Sequence, residues 1–193
     1  MDRLPNMRHT LFPIPGFLTH DECEALVRLA ESYGFSDAPI TTAFGFVHAP
    51  EVRNNTRVMV DDVAAAARLW EKLRARVGPE ARSHGVWQPV GLNERLRFYR
   101  YEPGQAFRWH HDGAFWRNDG EGSRLTFIVY LNDDFEGGET EFEETRVVPE
   151  RGAALVFSHP MLHQGAEVRR GVKYVLRSDV MFRFEETARR AVL

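Results

Sequence analysis

The chain of 193 residues has only one cysteine, Cys23, so it cannot form an internal disulfide and makes no demand for an oxidising compartment. It has no basic excess either: 25 Lys and Arg face 28 Asp and Glu, which argues against a nucleic-acid partner. No apolar run approaches the roughly 20 residues that a membrane helix needs. Charge and proline interrupt the N-terminal segment before it reaches signal-peptide length. These absences predict a soluble, cytoplasmic protein without a membrane partner.

The residues that are present suit one globular domain spanning residues 1–193, with 43% hydrophobic and 12% aromatic residues. The first half predicts two helices. Thr19 and Glu22 form a capping-box pattern ahead of an apolar series at helical spacing, which ends at Gly34. A second helix is predicted to begin near Asp61-Asp62 and to end before Gly78-Pro79. We interpret residues 1–93 as a helical support for the second half of the chain.

From about residue 94 the chain consists of short β-branched and aromatic runs separated by turn residues. The runs are LRFYRY, FRWHHD, RLTFIVYL, ETEFEE, AALVFS and KYVLRSDVMFRF. Several short strands at close spacing are typical of a β-sandwich or barrel. With two helices ahead of the strands, the order predicts an α+β fold in which the helices pack on one sheet.

The stretch RWHHDG at residues 108–113 contains the most specific polar pattern of the chain. Successive side chains of a strand point to opposite faces, so His110 and Asp112 share a face and His111 points the other way. An imidazole and a carboxylate at this spacing can serve as two metal ligands. A second histidine from a distant strand would complete the 2-His-1-carboxylate triad that is typical of non-haem Fe(II) oxygenases.

Two histidines in VFSHPMLHQGAEV are candidates for the third ligand. Pro160 follows His159, which places that histidine where a strand breaks. His163 enters the next strand, and a preformed metal site needs ligands on rigid elements. The sequence therefore favours His163, with His159 as the alternative.

Three segments together resemble the 2-oxoglutarate- and Fe(II)-dependent oxygenases, and within them the prolyl 4-hydroxylase-like group. The segment YEPGQAFRWHHD resembles that group's pattern Tyr-x-x-Gly-x-x-aromatic-x-x-His-x-Asp. YLNDDFEGGETEF is similar to its Tyr-Leu-Asn stretch followed by Gly-Gly-Glu-Thr-x-Phe. PERGAALVFSHPMLHQGAEVRRGVKY is similar to its closing segment, with a basic residue ten positions after the distal histidine. The resemblance covers about residues 94–184.

The resemblance implies a double-stranded β-helix, the jelly roll or cupin-like barrel, as the core over residues 94–184. It implies that His110, Asp112 and His163 bind Fe(II), with 2-oxoglutarate and O2 as co-substrates and ascorbate as an accessory reductant. It also makes Lys173 the cation for the distal carboxylate of 2-oxoglutarate, because a buried unpaired charge is very costly.

Other residues of the expected co-substrate pocket come from the same resemblance and from strand alternation. Tyr130 is expected to hydrogen-bond the distal carboxylate, Thr126 to line the pocket, and Tyr101 to lie on the co-substrate side. Arg177 shares a face with Lys173 and could share that carboxylate, hold a substrate acid, or pair with Asp179.

Arg97 and Arg57 are candidate substrate contacts, because Arg97 shares a face with Tyr99 and Tyr101, and Arg57 lies on the extended segment before the second helix. The resemblance implies hydroxylation of an unactivated C–H bond, since related halogenases lack the carboxylate that Asp112 supplies. A prolyl or other aminoacyl group of a peptide is the first candidate substrate. A free amino acid or small metabolite is an alternative, as is a cupin metalloenzyme that does not use 2-oxoglutarate.

Overall fold

The computed structural model describes residues 10–42, 45–77 and 87–185. It contains helices α1 (His20–Tyr33) and α2 (Val63–Arg76). The strands are β1 (Leu11–Ile14), β2 (Ser36–Asp37), β3 (Ile40–Thr42), β4 (Gly45–Val47), β5 (Thr56–Asp61), β6 (Trp87–Leu92), β7 (Arg95–Tyr101), β8 (Phe107–His110), β9 (Trp116–Asn118), β10 (Glu121–Tyr130), β11 (Glu136–Gly137), β12 (Thr140–Phe142), β13 (Arg146–Val147), β14 (Ala154–Ser158), β15 (His163–Gly165), β16 (Val168–Arg170) and β17 (Lys173–Phe184).

Both predicted helices are present, and side chains cap their N-termini. The Thr19 hydroxyl accepts from the Glu22 N–H, and the Glu22 carboxylate accepts from the Thr19 N–H, which confirms the capping box. Asp62 caps α2 by accepting from the Ala65 N–H. The helix ends at Arg76, and the predicted stop at Gly78-Pro79 lies outside the described residues.

Nine strands form a large antiparallel sheet with the central order β1-β14-β10-β17-β7-β5-β2, to which β6 and β9 add at β17 and β10. A smaller sheet has the order β13-β12-β15-β8. The pairs β11-β16 and β3-β4 complete the strands of the described residues. This arrangement is a double-stranded β-helix, as predicted.

The large sheet buries both of its faces, and alternation along its strands separates two apolar clusters. Leu125, Phe127 and Val129 of β10 belong to the cluster that includes Ala30 of α1 and Leu69 of α2. The intervening residues point the other way: Ile128 and Tyr130 belong to the second cluster, with Phe142 and Phe157. The helices therefore cover one face of the sheet, and the opposite face lines the barrel interior.

Residues 1–93 supply more than helical support. Strands β1, β5 and β6 join the large sheet, where β1 pairs with β14, β5 with β7, and β6 with β17. These early strands extend the sheet that carries half of the site. No helix among the described residues has the length and apolar character needed to cross a membrane.

Candidate active site

Two neighbouring strands of the small sheet bring the predicted histidines together. β8 and β15 pair so that His110 and His163 are directly opposite in register. β8 ends at His110, and the chain then places Asp112 beside both imidazoles, with its N–H donating to the His159 carbonyl at 3.1 Å. Nitrogen and oxygen atoms of His110, Asp112 and His163 all lie within 4.8 Å of one another. The predicted choice of His110 and His163 therefore yields one three-residue cluster.

Backbone carbonyls orient both imidazole rings. Nδ1 of His110 lies 2.7 Å from the Arg108 carbonyl oxygen, and Nδ1 of His163 lies 2.9 Å from that of Met161. A carbonyl only accepts, so each Nδ1 carries the proton and each Nε2 has a free lone pair. Burial lowers the pKa of His110 to about 3 and also lowers the pKa of His163. Both rings are therefore neutral near pH 7, in the form that binds a metal.

Asp112 is held in its ionised form by its surroundings. Its side chain is 3% exposed, and Arg177 Nη1 lies 2.7 Å from its Oδ1. Burial opposes ionisation, but the charge of Arg177 and the donors around the carboxylate outweigh it and keep the pKa of Asp112 below its usual range. The Thr126 hydroxyl donates to the other oxygen, Oδ2, at 2.5 Å.

The donor set fits a divalent iron ion. Two neutral imidazole nitrogens and one carboxylate make up the facial triad of non-haem Fe(II) sites. This triad leaves further coordination positions of the metal open. The Nδ1–carbonyl bonds and the bonds to Asp112 are the supporting contacts that such ligands require. The triad itself contributes only one negative charge, so Fe(II) can bind an anionic co-substrate there.

His159, the alternative third ligand, lies behind Asp112. Thr126 donates its proton to the carboxylate, so its oxygen accepts from His159 Nδ1 at 2.9 Å. His159 Nε2 then accepts from the Ser123 hydroxyl at 2.9 Å. Both ring nitrogens are occupied by hydroxyl groups, and the histidine is 4% exposed. His159 is thus a buried support of the Asp112 carboxylate through Thr126, a role that sequence reasoning missed because its partners are distant in the chain.

Replacement of Thr126 by Val is expected to weaken divalent-metal binding by roughly 10–100-fold, the usual effect of removing a residue that orients a metal ligand. The change keeps the side-chain shape but removes the hydroxyl that joins His159 to Asp112. Calorimetric titration of the protein with Mn(II) measures the effect. Thr126→Ser keeps the hydroxyl and should retain most of the affinity. Equal affinity of Thr126→Val and the unaltered protein would contradict this role.

Lys173 lies on β17 at the interior end of the site. It is 3% exposed, and its Nζ donates to the Gly138 carbonyl at 2.6 Å. The ammonium also faces the rings of Tyr101 and Tyr130, at 5.1 Å and 5.7 Å from their centroids. No carboxylate of the described residues forms an ion pair with it. Burial lowers the pKa of Lys173 to about 7, and the negative charge of Glu139 opposes this effect only in part.

The turn after β11 allows this close approach. Gly138 has φ +68°, and a Cβ there would lie 3.0 Å from the Lys173 Cδ. Next to it, the Tyr130 hydroxyl and the Thr140 hydroxyl lie 2.7 Å apart. One of these hydroxyls donates to the other, so one hydroxyl proton and the ammonium remain to donate to the distal carboxylate of 2-oxoglutarate, and the residues fit that co-substrate.

The structure brings together every residue that the sequence assigned to the metal and the co-substrate. One interior pocket is lined by His110, Asp112, His163, Lys173, Tyr101, Thr126 and Arg177. Tyr130 lies next to this pocket, with its hydroxyl 2.7 Å from that of Thr140, which is a lining residue. Arg177 engages Asp112 and also lies 3.4 Å from Asp179, which was one of its three predicted alternatives. Arg97 lies 2.9 Å from the same Asp179 carboxylate.

A second cavity, of about 490 Å³, opens on the outer side of the metal cluster. His110 and Asp112 line it, and so do both predicted substrate contacts, Arg57 and Arg97. His111 also lines this cavity, with its Nδ1 3.0 Å from the Pro160 carbonyl oxygen. We call this cavity the mouth. It is large enough for a small molecule or for one or two residues of a peptide.

Comparison with known proteins agrees with this geometry. The family profile described as the 2OG-Fe(II) oxygenase superfamily matches residues 96–178. A PKHD-type hydroxylase of Picosynechococcus sp. is 28% identical over 171 residues, which span 85% of this chain and 74% of that protein. Prolyl 4-hydroxylase 1 of Arabidopsis thaliana is 26% identical over 185 residues, with 82% of this chain and 64% of that protein covered.

A solved structure shows the same fold. The viral collagen prolyl hydroxylase of Paramecium Bursaria Chlorella virus-1, in its 2-oxoglutarate complex, superposes with a TM-score of 0.64 at 22% identity, over 90% of this chain and 96% of that one. The metal cluster and the buried lysine behind it agree with the matched family profile. Over residues 96–178 the chain is similar to the 2OG-Fe(II) oxygenase superfamily, and over most of its length it is similar to a PKHD-type hydroxylase and to a prolyl 4-hydroxylase.

Proposed function

We propose that the protein hydroxylates an unactivated C–H bond in an aminoacyl substrate that enters through the mouth. The observation that carries this proposal is the position of Lys173, a buried cation without an ion-pair partner among the described residues, behind the three metal ligands. A cupin metalloenzyme that does not use 2-oxoglutarate has no need of such a cation. The hydroxylase names of the relatives support the same interpretation.

Each part of the site has a distinct task. His110, Asp112 and His163 would hold Fe(II), which with 2-oxoglutarate and O2 supplies C–H oxidation coupled to decarboxylation, giving alcohol, succinate and CO2. Lys173 anchors the co-substrate by its distal carboxylate from the interior side. Arg177 keeps Asp112 ionised and correctly placed. The mouth positions the substrate beside His110 and Asp112, which line it.

The substrate class follows from the relatives and from the size of the mouth. The relatives include a prolyl 4-hydroxylase, which supports a prolyl group of a peptide. The mouth is open enough to admit such a group. Fe(II), 2-oxoglutarate and O2 complete the reaction, with ascorbate as accessory reductant. We include the predicted cytoplasmic location in the proposal, supported by a single cysteine that is free and buried.

Purified protein supplied with Fe(II), ascorbate and 2-oxoglutarate is expected to release succinate, and to release it faster with a true substrate. Succinate is measured first without substrate and then with proline-containing peptides and free amino acids, while mass spectrometry detects a product heavier by one oxygen atom. His163→Ala protein is the matched control, because it lacks a metal ligand. Substrate oxidation without consumption of 2-oxoglutarate would favour the cupin alternative instead.

A further inference from the structure

Arg53 is a buried cation that lines the mouth, and the proposed reaction gives it no role. It is 6% exposed and lines the cavity beside His110 and Asp112. Its Nε donates to the Asn55 Oδ1 at 2.8 Å. Its Nη2 is buried and has no hydrogen-bond partner among residues 10–42, 45–77 and 87–185. A charged donor in this state indicates a missing acceptor, because a buried unsatisfied group is costly.

The guanidinium is fixed in place next to the metal cluster. Arg53 forms a β-bridge with Phe107, and the neighbouring Asn54 accepts from the Ala106 N–H at 2.8 Å. Its Cζ lies 4.4 Å from the Phe107 ring centroid. The Phe107 ring in turn stacks on His110, with 3.5 Å between centroids. The Phe107 ring thus contacts both Arg53 and His110, so a group bound to Arg53 would lie close to the metal ligand His110.

The fixed charges of the mouth leave a positive excess. The described residues that line it include four arginines, Arg53, Arg57, Arg97 and Arg177, and two aspartates, Asp112 and Asp179, which leaves two positive charges. Both aspartates are already engaged, Asp112 by Arg177 and Asp179 by Arg97. Burial, together with the charges of Arg53 and Arg97, lowers the pKa of Arg57. An anion bound in the mouth would relieve this repulsion.

We infer that the substrate carries a carboxylate that binds to Arg53, with Arg57 adding to the attraction. A guanidinium presents paired N–H donors that match the two oxygens of a carboxylate. The Tyr99 ring, 4.5 Å from the Arg53 Cζ, and the Phe107 ring give this site apolar walls for the carbon skeleton. This inference rests on the proposed function and narrows its substrate to acids: an amino acid, a peptide C-terminus or an acidic side chain.

Binding can be tested without turnover. The protein is saturated with Mn(II), in place of iron, and with 2-oxoglutarate. The NMR relaxation rates of the probe's protons are then measured, because a probe that binds near Mn(II) relaxes faster. Cyclopentanecarboxylate is expected to bind, whereas cyclopentanecarboxamide, which differs only in lacking the charge, is expected to bind at least tenfold more weakly. Signals of 2-oxoglutarate in the same spectra show whether a probe displaces the co-substrate. Equal binding of acid and amide, no binding of the acid, or displacement of 2-oxoglutarate would overturn the inference.

Variants locate the effect. Arg53→Gln should weaken binding of the acid tenfold or more and remove the preference over the amide. Arg57→Gln, at a less buried position, should weaken it to a smaller extent, which keeps the test valid if the first variant does not fold. Arg28→Gln is the matched control, because Arg28 lies on α1, is 69% exposed and is 3.5 Å from Glu24. Unchanged binding in both Arg53→Gln and Arg57→Gln would contradict the proposal.

Turnover then distinguishes the possible sources of the carboxylate. Succinate release is compared for proline and prolinamide, for a peptide ending in a free C-terminus and its amide, and for a peptide with an internal Glu and its Gln analogue. In one of these pairs the acid should release succinate faster than its neutral analogue. That pair shows which kind of carboxylate Arg53 binds. Tighter binding of inorganic phosphate than of the carboxylate probe would reject the assignment. A protein that binds the acid probe but never consumes 2-oxoglutarate would refute the proposed function while leaving this site intact.

Discussion

Replacement of His110 by Ala is expected to reduce 2-oxoglutarate turnover below detection, whereas replacement of the adjacent His111 should leave the larger part of it. His110 directs its free Nε2 toward Asp112, at 3.7 Å from Oδ1, opposite His163 in the strand register. Without this nitrogen the site keeps one imidazole and one carboxylate, too few to hold the ion in a fixed geometry. Succinate release with Fe(II), ascorbate and 2-oxoglutarate measures the difference.

The two histidines form a matched pair because they are adjacent and chemically identical. His111 contacts the Pro160 carbonyl through Nδ1 and lines the mouth, so its replacement affects the substrate side and not the ligand set. Calorimetric Mn(II) titration should show lost affinity in His110→Ala and near-normal affinity in His111→Ala. Equal loss of metal binding from both variants would show that the assignment of ligands is wrong.

Replacement of Lys173 by Met is expected to weaken 2-oxoglutarate binding by about 2–5 kcal/mol, roughly 30- to several-thousand-fold, because the distal carboxylate would be buried without a cation. Metal affinity should change little, since Lys173 does not belong to the ligand cluster. Calorimetric titration of the Mn(II)-bound protein with 2-oxoglutarate measures the first effect, and titration with Mn(II) alone measures the second. The comparison separates the co-substrate anchor from the metal site. Unchanged affinity would assign the carboxylate to another group.

The pH dependence gives this second prediction an independent test. Burial sets the pKa of Lys173 near 7 in the free protein, so the amine is mainly neutral at pH 8. A bound carboxylate raises this pKa, so binding at pH 8 takes up close to one proton, and affinity falls as pH rises above 7, by up to about tenfold per unit. At pH 6 the lysine is already charged and almost no proton is taken up. Titrations in buffers of different ionisation enthalpy measure the uptake.

Lys173→Arg provides the control for that titration. Arginine stays charged at every pH where the protein is folded, so its 2-oxoglutarate affinity should be flat between pH 6 and 9. The bond from Nζ to the Gly138 carbonyl is lost, so the absolute affinity of the variant is expected to drop. A variant that keeps the slope of the unaltered protein would place the titrating group elsewhere.

The parts of the site that sequence predicts are those fixed by short-range periodicity. Alternation along β10 and β17 places Thr126, Lys173 and Arg177 in one pocket, and Tyr130, four residues after Thr126, on the same side of the sheet. The capping box of α1 is local as well. The sequence favours His163 because it enters a strand, and β15 does begin at that residue.

The parts that sequence does not predict depend on contacts between distant residues. Nothing within a few positions of His159 indicates that it bonds to both Ser123 and Thr126, since the three meet only through the pairing of β10 with β14. Arg53 carries no sequence signal for the same reason: its bridge partner, Phe107, lies on β8. Strands β1 and β6 are not among the strands that the sequence predicts, because strands at a sheet's periphery carry weak alternation, whereas β5 lies in the segment that the sequence predicts to be extended.

The register that sets His110 against His163 has a mechanical consequence for the small sheet. Three backbone pairs at most join β15 to each neighbour, and the sheet has only four strands. An ion bound by both imidazoles would cross-link β8 and β15. A ligand that binds only the folded chain increases the free energy of unfolding. Metal binding is therefore expected to stabilise the small sheet more than the large sheet that the helices cover. Removal of the ion should destabilise the small sheet first.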